Sequence, residues 1–283
     1  MKHYLALTKP RITWLILVST GVGYYFGASG PLQWMVLLHC MLGTALLASG
    51  TAALNQWYES DADAQMRRTE KRPIPAGVIS SRNAFLFGLC LSLIGFLELG
   101  LGANWLTAGL GLFTELSYLC LYTPLKRRSP ISTTVGAVPG AMPPLIGFAA
   151  ASGVLTAEAW VLYAILFLWQ FPHFYAIAWM YREDYSRSGI RMLPVVEPDG
   201  DSTVRQMLLF SVVLIPISLL PTWLSMAGAF YFFGALICGV AFVGACIRMM
   251  GDRSLVKARG VLLASVIYLP VIYGLLVLDR THL

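Results

Sequence analysis

Apolar residues dominate this chain in runs of about 20 residues, the length that crosses the hydrocarbon core of a bilayer as an α-helix. Nine such runs are present, at positions 12–28, 33–58, 83–101, 104–122, 131–150, 157–181, 205–224, 227–248 and 260–279. The chain has no strand pattern of the kind that forms a membrane barrel. The pattern therefore predicts an all-α, polytopic membrane protein with nine transmembrane helices, organised as a single integral-membrane domain over residues 1–283.

The run at 131–150 contains three prolines, Pro139, Pro143 and Pro144. Proline removes a backbone hydrogen bond and kinks or breaks a helix, which a membrane protein tolerates when neighbouring helices cover the freed groups. We keep this run as a span, because without it the basic residues after the next span would lie on the opposite side of the membrane. We therefore predict a kinked helix that is buried against its neighbours.

The composition supports a membrane protein. Of the 283 residues, 57% are hydrophobic and 12% are charged, and the mean hydropathy is +0.69, which is more apolar surface than a soluble domain needs. The N-terminal segment has no cleavage site of small residues, so we expect the first span to remain in the protein. The five cysteines lie within predicted spans without C-x-x-C spacing, and we expect them to be apolar packing residues.

The basic residues are distributed unevenly across the membrane. With nine spans, nineteen of the twenty Lys and Arg residues fall on one side, and only Arg280 falls on the other. The positive-inside rule then places the N-terminus in the cytoplasm and the C-terminus outside. The net charge of +6 thus reflects topology and does not indicate nucleic-acid binding. No pattern along the chain indicates an oligomeric state.

The segment NQWYESDADAQMRRTEKRP, at 55–73, follows the second span and carries the densest polar pattern. Asn55, Glu59, Asp63 and Arg67 recur every four residues, which places all four on one face of a helix. Arg72 follows them. Oxygen-bearing side chains suit Mg²⁺, which usually keeps substrate phosphates as further ligands, and guanidinium groups match phosphate oxygens. The segment predicts a magnesium–diphosphate site, although charged residues also follow a transmembrane helix simply because it ends in water.

A second polar cluster, YREDYSRSGIRMLP at 181–194, follows the sixth span. Four spans separate it from the first cluster, so both clusters lie on the same side of the membrane and can face one cavity. Its acids are Glu183 and Asp184, and Arg191 is one of its bases. Two acidic patches can hold metal ions on opposite sides of one diphosphate. A solvated loop of mixed charges is the alternative interpretation.

Several other polar residues allow two interpretations each. Lys126, in YTPLKRRSP at 122–130, is suited to hold a leaving diphosphate, but topology alone also explains it. The same two interpretations apply to Lys9 and Arg11 in the N-terminal LTKPRIT. Within the membrane, Glu115 is either functional or protonated and bonded to a neighbouring helix. His173, in WQFPHF, is either a hydrogen-bonding strut or a ligand.

These motifs together resemble those of the UbiA-type intramembrane prenyltransferases. That superfamily carries N-x-x-x-D-x-x-x-D after its second span, which corresponds here to Asn55, Glu59 and Asp63, with Glu in place of the middle Asp. Its second acidic motif is shortened here to residues 182–185. Further segments resemble the branch of the superfamily that acts on haem: LTKPRIT, the R-x-x-x-R-P of 68–73, YTPLKR, WQFPHF and YREDYSRSGIRMLP.

The resemblance implies a Mg²⁺-dependent enzyme of the bacterial plasma membrane with its active site on the cytoplasmic side. It would transfer a farnesyl group from farnesyl diphosphate to a vinyl group of haem B, with addition of water, giving haem O and diphosphate. Because both substrates have large apolar parts, we expect a central cavity between the helices that is open to lipid. The implied catalytic and metal-binding residues are Asn55, Glu59, Asp63 and Asp184. The implied substrate contacts are Arg67, Arg72, Lys126 and Arg191 for diphosphate and His173 for haem.

Two other functions are compatible with parts of the pattern. A sister prenyltransferase acting on an aromatic acid or a quinone precursor would use the same acidic motifs, but WQFPHF and the shortened second motif favour haem. A secondary transporter would fit the intramembrane Glu115 and the proline-broken span. Transporters usually bind substrate near the midplane, whereas the densest polar residues here lie at one membrane surface.

Overall fold

The computed structural model describes residues 2–281, and most of this range is helical. The long helices are α1 (Pro10–Gly27), α2 (Trp34–Tyr58), α3 (Ser81–Gly102), α4 (Trp105–Leu116), α5 (Ser132–Gly140), α6 (Pro143–Ser152), α7 (Ala157–Met180), α8 (Asp201–Trp223), α9 (Ala229–Gly251) and α10 (Leu255–Leu278). Within residues 2–281, the only strand-like pairing is an isolated bridge between Ala227 and Arg280. The prediction of an all-α protein is confirmed.

Seven helical segments are long and apolar enough to cross a membrane: α2, α3, the combined α5 and α6, and α7 to α10. The chain is therefore a multi-pass membrane protein. The two remaining predicted spans also coincide with helix. The span at 12–28 matches α1, and the span at 104–122 matches α4 together with the π-helix Ser117–Tyr122 that continues it. The total of nine crossings remains a prediction.

The predicted kinked span is divided into two helices. α5 ends at Gly140 and α6 begins at Pro143, because proline suits the first turn of a helix and has no backbone N–H to bond to the preceding turn. All residues of α6 from 143 to 150 are buried. α6 packs closely on α1, since a Cβ placed on Gly147 would lie 1.8 Å from the carbonyl oxygen of Thr20. The small residue thus allows the two backbones to touch.

The helices differ in how deeply they lie in the bundle. Within the 18-residue apolar stretch of α7, 56% of the residues are buried. In the corresponding stretch of α5 and α6, 67% are buried. The corresponding shares for α2, α3 and α8 to α10 are between 28% and 33%. The proline-broken segment and α7 therefore form the centre of the bundle. The other helices surround them and present apolar side chains outward, as expected for contact with lipid.

The polar clusters meet at one end of the bundle, which we call the polar end. The clusters form short helices there: Ser60–Asp63 after α2, Thr123–Leu125 after the π-helix, and Arg182–Arg187 after α7. At the opposite end, only two residues separate α3 from α4. The predicted sites are therefore carried by segments that sit on the ends of rigid helices.

Candidate active site

The first cluster continues the last turns of α2. The backbone N–H of Glu59 donates to the carbonyl of Asn55 at 2.9 Å, and that of Asp63 donates to the carbonyl of Glu59 at 2.8 Å. Asn55 Nδ2 also donates to Glu59 Oε2 at 3.0 Å. Asn55 and Asp63 are each 1% exposed, so the four-residue spacing does form a buried polar face.

This face ends at Asp63. The short helix Ser60–Asp63 is followed by turns with hydrogen bonds between residues three apart, such as Met66 N–H to the carbonyl of Asp63 at 3.3 Å. The chain therefore leaves the register of α2 before it reaches Arg67, whose side chain is exposed. Arg67 shares the four-residue spacing in sequence but not the buried face.

Two segments distant in sequence contact the end of α2. Lys126 Nζ forms an ion pair with Glu59 Oε1 at 2.9 Å, and both side chains are 13% exposed. Lys9 Nζ donates to Asn55 Oδ1 at 3.2 Å, and Asn55 Nδ2 donates to Thr123 Oγ1 at 3.3 Å. The residues before α1 and those after the π-helix thus meet around Asn55 and Glu59.

Asp63 has its own basic partner. Arg72 Nη1 lies 2.6 Å from Asp63 Oδ2, and its side chain is 26% exposed while that of Asp63 is buried. The Thr69 hydroxyl donates to the backbone carbonyl of Asp63 at 2.9 Å, which stabilises the turn between Asp63 and Thr69. The guanidinium of Arg72 is therefore accessible from the surface, whereas the carboxylate of Asp63 is buried.

The pKa values at this end follow from burial and from the local excess of bases. Burial, together with the positive charges of Arg72 and Lys126, lowers the pKa of Lys9 to about 7. Burial alone would raise the pKa of Glu59, but Lys126 outweighs it and the net shift is downward. Burial alone would lower the pKa of Lys126, but Tyr122 and Glu59 outweigh it and the net shift is upward. Glu59 and Lys126 are therefore both charged at neutral pH.

The network of Lys9, Asn55, Glu59, Asp63, Arg72 and Lys126, which we call the polar-end network, contains three bases and two acids. A buried site with surplus positive charge favours an anionic ligand. Guanidinium and ammonium groups are the side chains that bind phosphate oxygens most strongly. The arrangement is therefore suited to a diphosphate.

The second cluster lies against the first. Arg68 Nη2 donates to the Tyr185 hydroxyl at 3.4 Å, and its guanidinium carbon lies 5.0 Å from the ring centre of Tyr181. The backbone N–H of Arg191 donates to the carbonyl of Lys126 at 2.8 Å. The loops after α2, α4 and α7 thus contact one another at the polar end. This agrees with the prediction that an even number of spans separates these loops and places them on one side of the membrane.

The individual acids of the second cluster are placed differently. Asp184 pairs with Arg187 within the helix Arg182–Arg187, and Glu183 is exposed. Over the described residues, no hydrogen bond or ion pair joins Asp184 to the first cluster, and no group of three or more His, Cys, Asp or Glu residues is placed to hold a metal ion. The side chain of Arg191 is also exposed.

The oxygen donors of the first cluster nevertheless suit Mg²⁺. This ion is usually held by one or two carboxylates, with waters and substrate phosphates completing its shell. Glu59 and Asp63 supply two carboxylates on one face, and Asn55 supplies an amide oxygen. Asp63 accepts a hydrogen bond only through Oδ2 in the part of the chain that the structure describes, so Oδ1 remains available to a ligand.

His173 lies apart from the polar end. It is in α7, seven residues before the helix ends at Met180, which corresponds to about 10 Å of helix rise. Its Nδ1 bonds to the Ser265 hydroxyl of α10 at 2.8 Å. Of the four predicted diphosphate contacts, the structure therefore brings Arg72 and Lys126 into the cluster around Asn55, Glu59 and Asp63 and leaves Arg67 and Arg191 exposed beside it. It places His173 deeper, between two helices.

Three residues in or beside the network are not among the substrate contacts predicted from the sequence. The sequence leaves the role of Lys9 open between diphosphate binding and topology, and it does not single out Thr123 or Tyr122. The Tyr122 ring centre lies 4.4 Å from Lys126 Nζ. The π-helix that ends at Tyr122 is the kind of irregularity that often marks functional sites. The segments LTKPRIT and YTPLKR, which contain all three residues, were the signals that could have found them.

Comparison with known proteins shows which family this chain belongs to. The model of the UbiA prenyltransferase family matches residues 16–269. The chain belongs to the UbiA prenyltransferase family. A protein of Solibacter usitatus (strain Ellin6076), described as protoheme IX farnesyltransferase, is 59% identical to this UbiA prenyltransferase over 100% of both chains. The resemblance inferred from the motifs is confirmed.

Solved structures of other proteins share the fold. A digeranylgeranylglyceryl phosphate synthase superposes with a TM-score of 0.83 and 17% identity, over 98% of this chain and 97% of its own. A UbiA homologue from Archaeoglobus fulgidus, bound to GPP and Mg²⁺, superposes with a TM-score of 0.67 and 15% identity, over 97% of this chain and 99% of its own. At these identities the likeness concerns the fold.

Proposed function

We propose that this chain transfers a farnesyl group from farnesyl diphosphate to a vinyl group of haem B, with addition of water, giving haem O and diphosphate. The observation that carries the proposal is the polar-end network, in which three bases contact the buried or largely buried Asn55, Glu59 and Asp63 at the end of α2. The identity of 59% to a protein described as protoheme IX farnesyltransferase supports haem as the acceptor.

The bases of the network would bind the diphosphate. Lys9, Arg72 and Lys126 surround the end of α2 from three different segments. Negative charge grows on the leaving diphosphate as the bond from its oxygen to the allylic carbon breaks, and preorganised positive groups stabilise that charge. We assign further diphosphate contacts to Arg67 and Arg191, whose exposed side chains lie on loops beside the network.

The acids of the two clusters would hold the metal. We assign Asn55, Glu59 and Asp63 to Mg²⁺, together with Asp184 from the adjoining loop. When bound with the diphosphate, Mg²⁺ supplies additional positive charge to the leaving group. The UbiA homologue from Archaeoglobus fulgidus that binds GPP and Mg²⁺ supports a metal-dependent reaction.

The acceptor would react inside the bundle. The electron-rich vinyl carbon of haem B attacks the allylic cation, and water then adds to the new cation with loss of a proton. The allylic cation must be shielded from bulk water until it reacts. We therefore propose a central, lipid-accessible cavity above the polar-end network, with His173 as the contact to haem.

The orientation of the chain follows from the distribution of charge. We propose a single integral-membrane domain over residues 1–283 in a bacterial plasma membrane, with nine crossings, the N-terminus in the cytoplasm and the C-terminus outside. The polar end would then face the cytoplasm. The lone basic residue on the other side, Arg280, donates to the carbonyl of Ala28 at 2.9 Å at the opposite end of the bundle, which supports this assignment.

The function is tested by mass spectrometry of haem extracted from proteoliposomes supplied with haem B, farnesyl diphosphate and Mg²⁺. We expect a product heavier than haem B by one farnesyl group and one water. Asp63→Ala should abolish it, because Asp63 is buried in the network. Asp61→Ala is the matched control, since Asp61 is an exposed aspartate two positions away and should retain activity.

Two results would contradict the proposal. Wild-type protein that leaves haem B unchanged but prenylates an aromatic acid or a quinone precursor in the same assay would assign the chain to a sister activity. Full activity of Asp63→Ala would instead remove the metal role from the first cluster while leaving the overall reaction intact.

A further inference from the structure

A polar contact crosses the bundle between α7 and α10, away from the polar-end network. Trp169 Nε1 donates to the backbone carbonyl of Ser265 at 2.7 Å. His173 Nδ1 lies 2.8 Å from the Ser265 hydroxyl. The rings of Trp169 and His173 stack with centres 4.8 Å apart and an angle of 25° between their planes. One serine therefore contacts two aromatic side chains that are one helical turn apart.

The hydrogen bonds of Ser265 determine which nitrogen of His173 carries the proton. A hydroxyl group has one hydrogen to donate, and the Ser265 hydroxyl donates it to the carbonyl of Leu262 at 2.6 Å. The Ser265 oxygen can then only accept from His173, so Nδ1 must carry a proton. In a neutral imidazole the other nitrogen, Nε2, then has a free lone pair.

The orientation of the His173 ring is also restrained. Stacking on Trp169 limits rotation about the ring's bonds, and Trp169 is itself tied to Ser265. Within residues 2–281 the structure shows no hydrogen bond to Nε2. The side chain is half-buried, and the adjacent Phe174 is 37% exposed, so the ring is not sealed inside the bundle. Nε2 of His173 therefore has a free lone pair, a fixed direction and no hydrogen-bond partner among residues 2–281, and it lies in the apolar part of the protein.

We propose that His173 Nε2 is an axial ligand of the iron of the haem substrate, and that Ser265 is the positioning residue that fixes its tautomer and direction. This inference rests on the proposed function, which makes haem a substrate. Imidazole nitrogen is a common axial ligand of haem iron. A ligating histidine typically donates its other ring N–H to an oxygen, and loss of that partner typically weakens metal binding about tenfold or more.

The alternative is that the contact is only a strut between α7 and α10. A strut would contribute to stability, and its loss would lower the Tm without changing the coordination of bound haem. An axial ligand would change the absorption and electron paramagnetic resonance spectra of the ferric haem complex. The two roles therefore differ in a measurement that does not depend on catalysis.

The experiment titrates purified protein in lipid nanodiscs with haem B and records both spectra. Wild-type protein should show a complex with histidine ligation. His173→Ala should lose that signature, and added imidazole should restore it by occupying the space of the removed ring. Ser265→Ala should retain the fold but bind haem about tenfold more weakly. Ser265→Thr, which keeps the hydroxyl, should stay closer to the wild type.

Ser211→Ala serves as the matched control, because Ser211 is a buried serine whose hydroxyl bonds to its own helix, to the carbonyl of Leu208 at 2.9 Å. It should leave the haem spectra unchanged. Wild-type spectra that persist in His173→Ala would overturn the iron ligation. Loss of the signature in His173→Ala with unaltered affinity in Ser265→Ala would overturn the positioning role of Ser265.

Failure of the proposed function would look different. Wild-type protein that binds haem B through His173 but forms no haem O would contradict the farnesyl transfer and leave the ligation in place. Wild-type protein that forms haem O while His173→Ala keeps its spectrum would contradict the ligation alone.

Discussion

The two ends of α2 carry different kinds of polar contact. Near its start, His39 Nδ1 lies 2.8 Å from Glu98 Oε1, and the side chains are 36% and 26% exposed. Past its other end, Glu59 and Lys126 are each 13% exposed and belong to the polar-end network. The first is an isolated pair of one base and one acid. The second is a buried network with surplus bases.

The difference shows which end of α2 is suited to bind an anionic ligand. A partly exposed contact between one histidine and one carboxylate has no surplus of positive charge to offer an anion. In a buried site with more bases than acids, the positive charges repel one another and destabilise the protonated bases. Here, burial and the charges of Arg72 and Lys126 lower the pKa of Lys9 to about 7. A bound diphosphate would compensate that charge, so binding is favoured at one end of α2 only.

The largest effect should come from Lys126→Ala. This change removes the base that pairs with Glu59 and is assigned to the leaving diphosphate, and we expect kcat/KM for farnesyl diphosphate to fall by about 10²- to 10³-fold. The neighbouring Arg127 is exposed and has the same sign of charge, so Arg127→Ala is the control. Similar losses in both variants would show that general surface charge, and not the network, binds the substrate.

A smaller loss is expected for Lys9→Ala. Lys9 reaches the network through one hydrogen bond to Asn55 at 3.2 Å. A hydrogen bond to a charged group typically contributes about 1.5–3 kcal/mol, so the rate should fall by roughly 10- to 100-fold. Arg11→Ala removes an exposed base from the same segment and should have little effect. Steady-state kinetics with varied farnesyl diphosphate measure both, and equal rates for Lys9→Ala and the wild type would remove Lys9 from the site.

The smallest effect is expected at the opposite end of α2. A double-mutant cycle with His39→Ala and Glu98→Ala should give a coupling of less than about 1 kcal/mol in the free energy of unfolding, because the pair is partly exposed. Haem O formation should be unchanged in every variant of the cycle. A strong loss of activity there would mean that the two ends of α2 are functionally equivalent, contrary to the comparison.

The sequence predicted the fold and much of the site because these features depend on local patterns. Long apolar runs predicted the helices, and the prolines of the fifth run predicted a kinked helix, which the structure instead divides into α5 and α6. The spacing of Asn55, Glu59 and Asp63 predicted a shared face, which the backbone forms up to Asp63. The prediction did not extend correctly to Arg67, because where a helix ends depends on the turns that follow it.

The sequence by itself thus determined a multi-pass helical membrane protein with its polar clusters on one side, since hydropathy and periodicity are properties of neighbouring residues. Only the tertiary structure decided which base meets which acid. Lys126 and Glu59 are 67 residues apart, and His173 and Ser265 are 92 apart. Such pairs are set by how the helices pack, which no local pattern contains. The same packing buries the polar-end network, and burial gives its charges their strength.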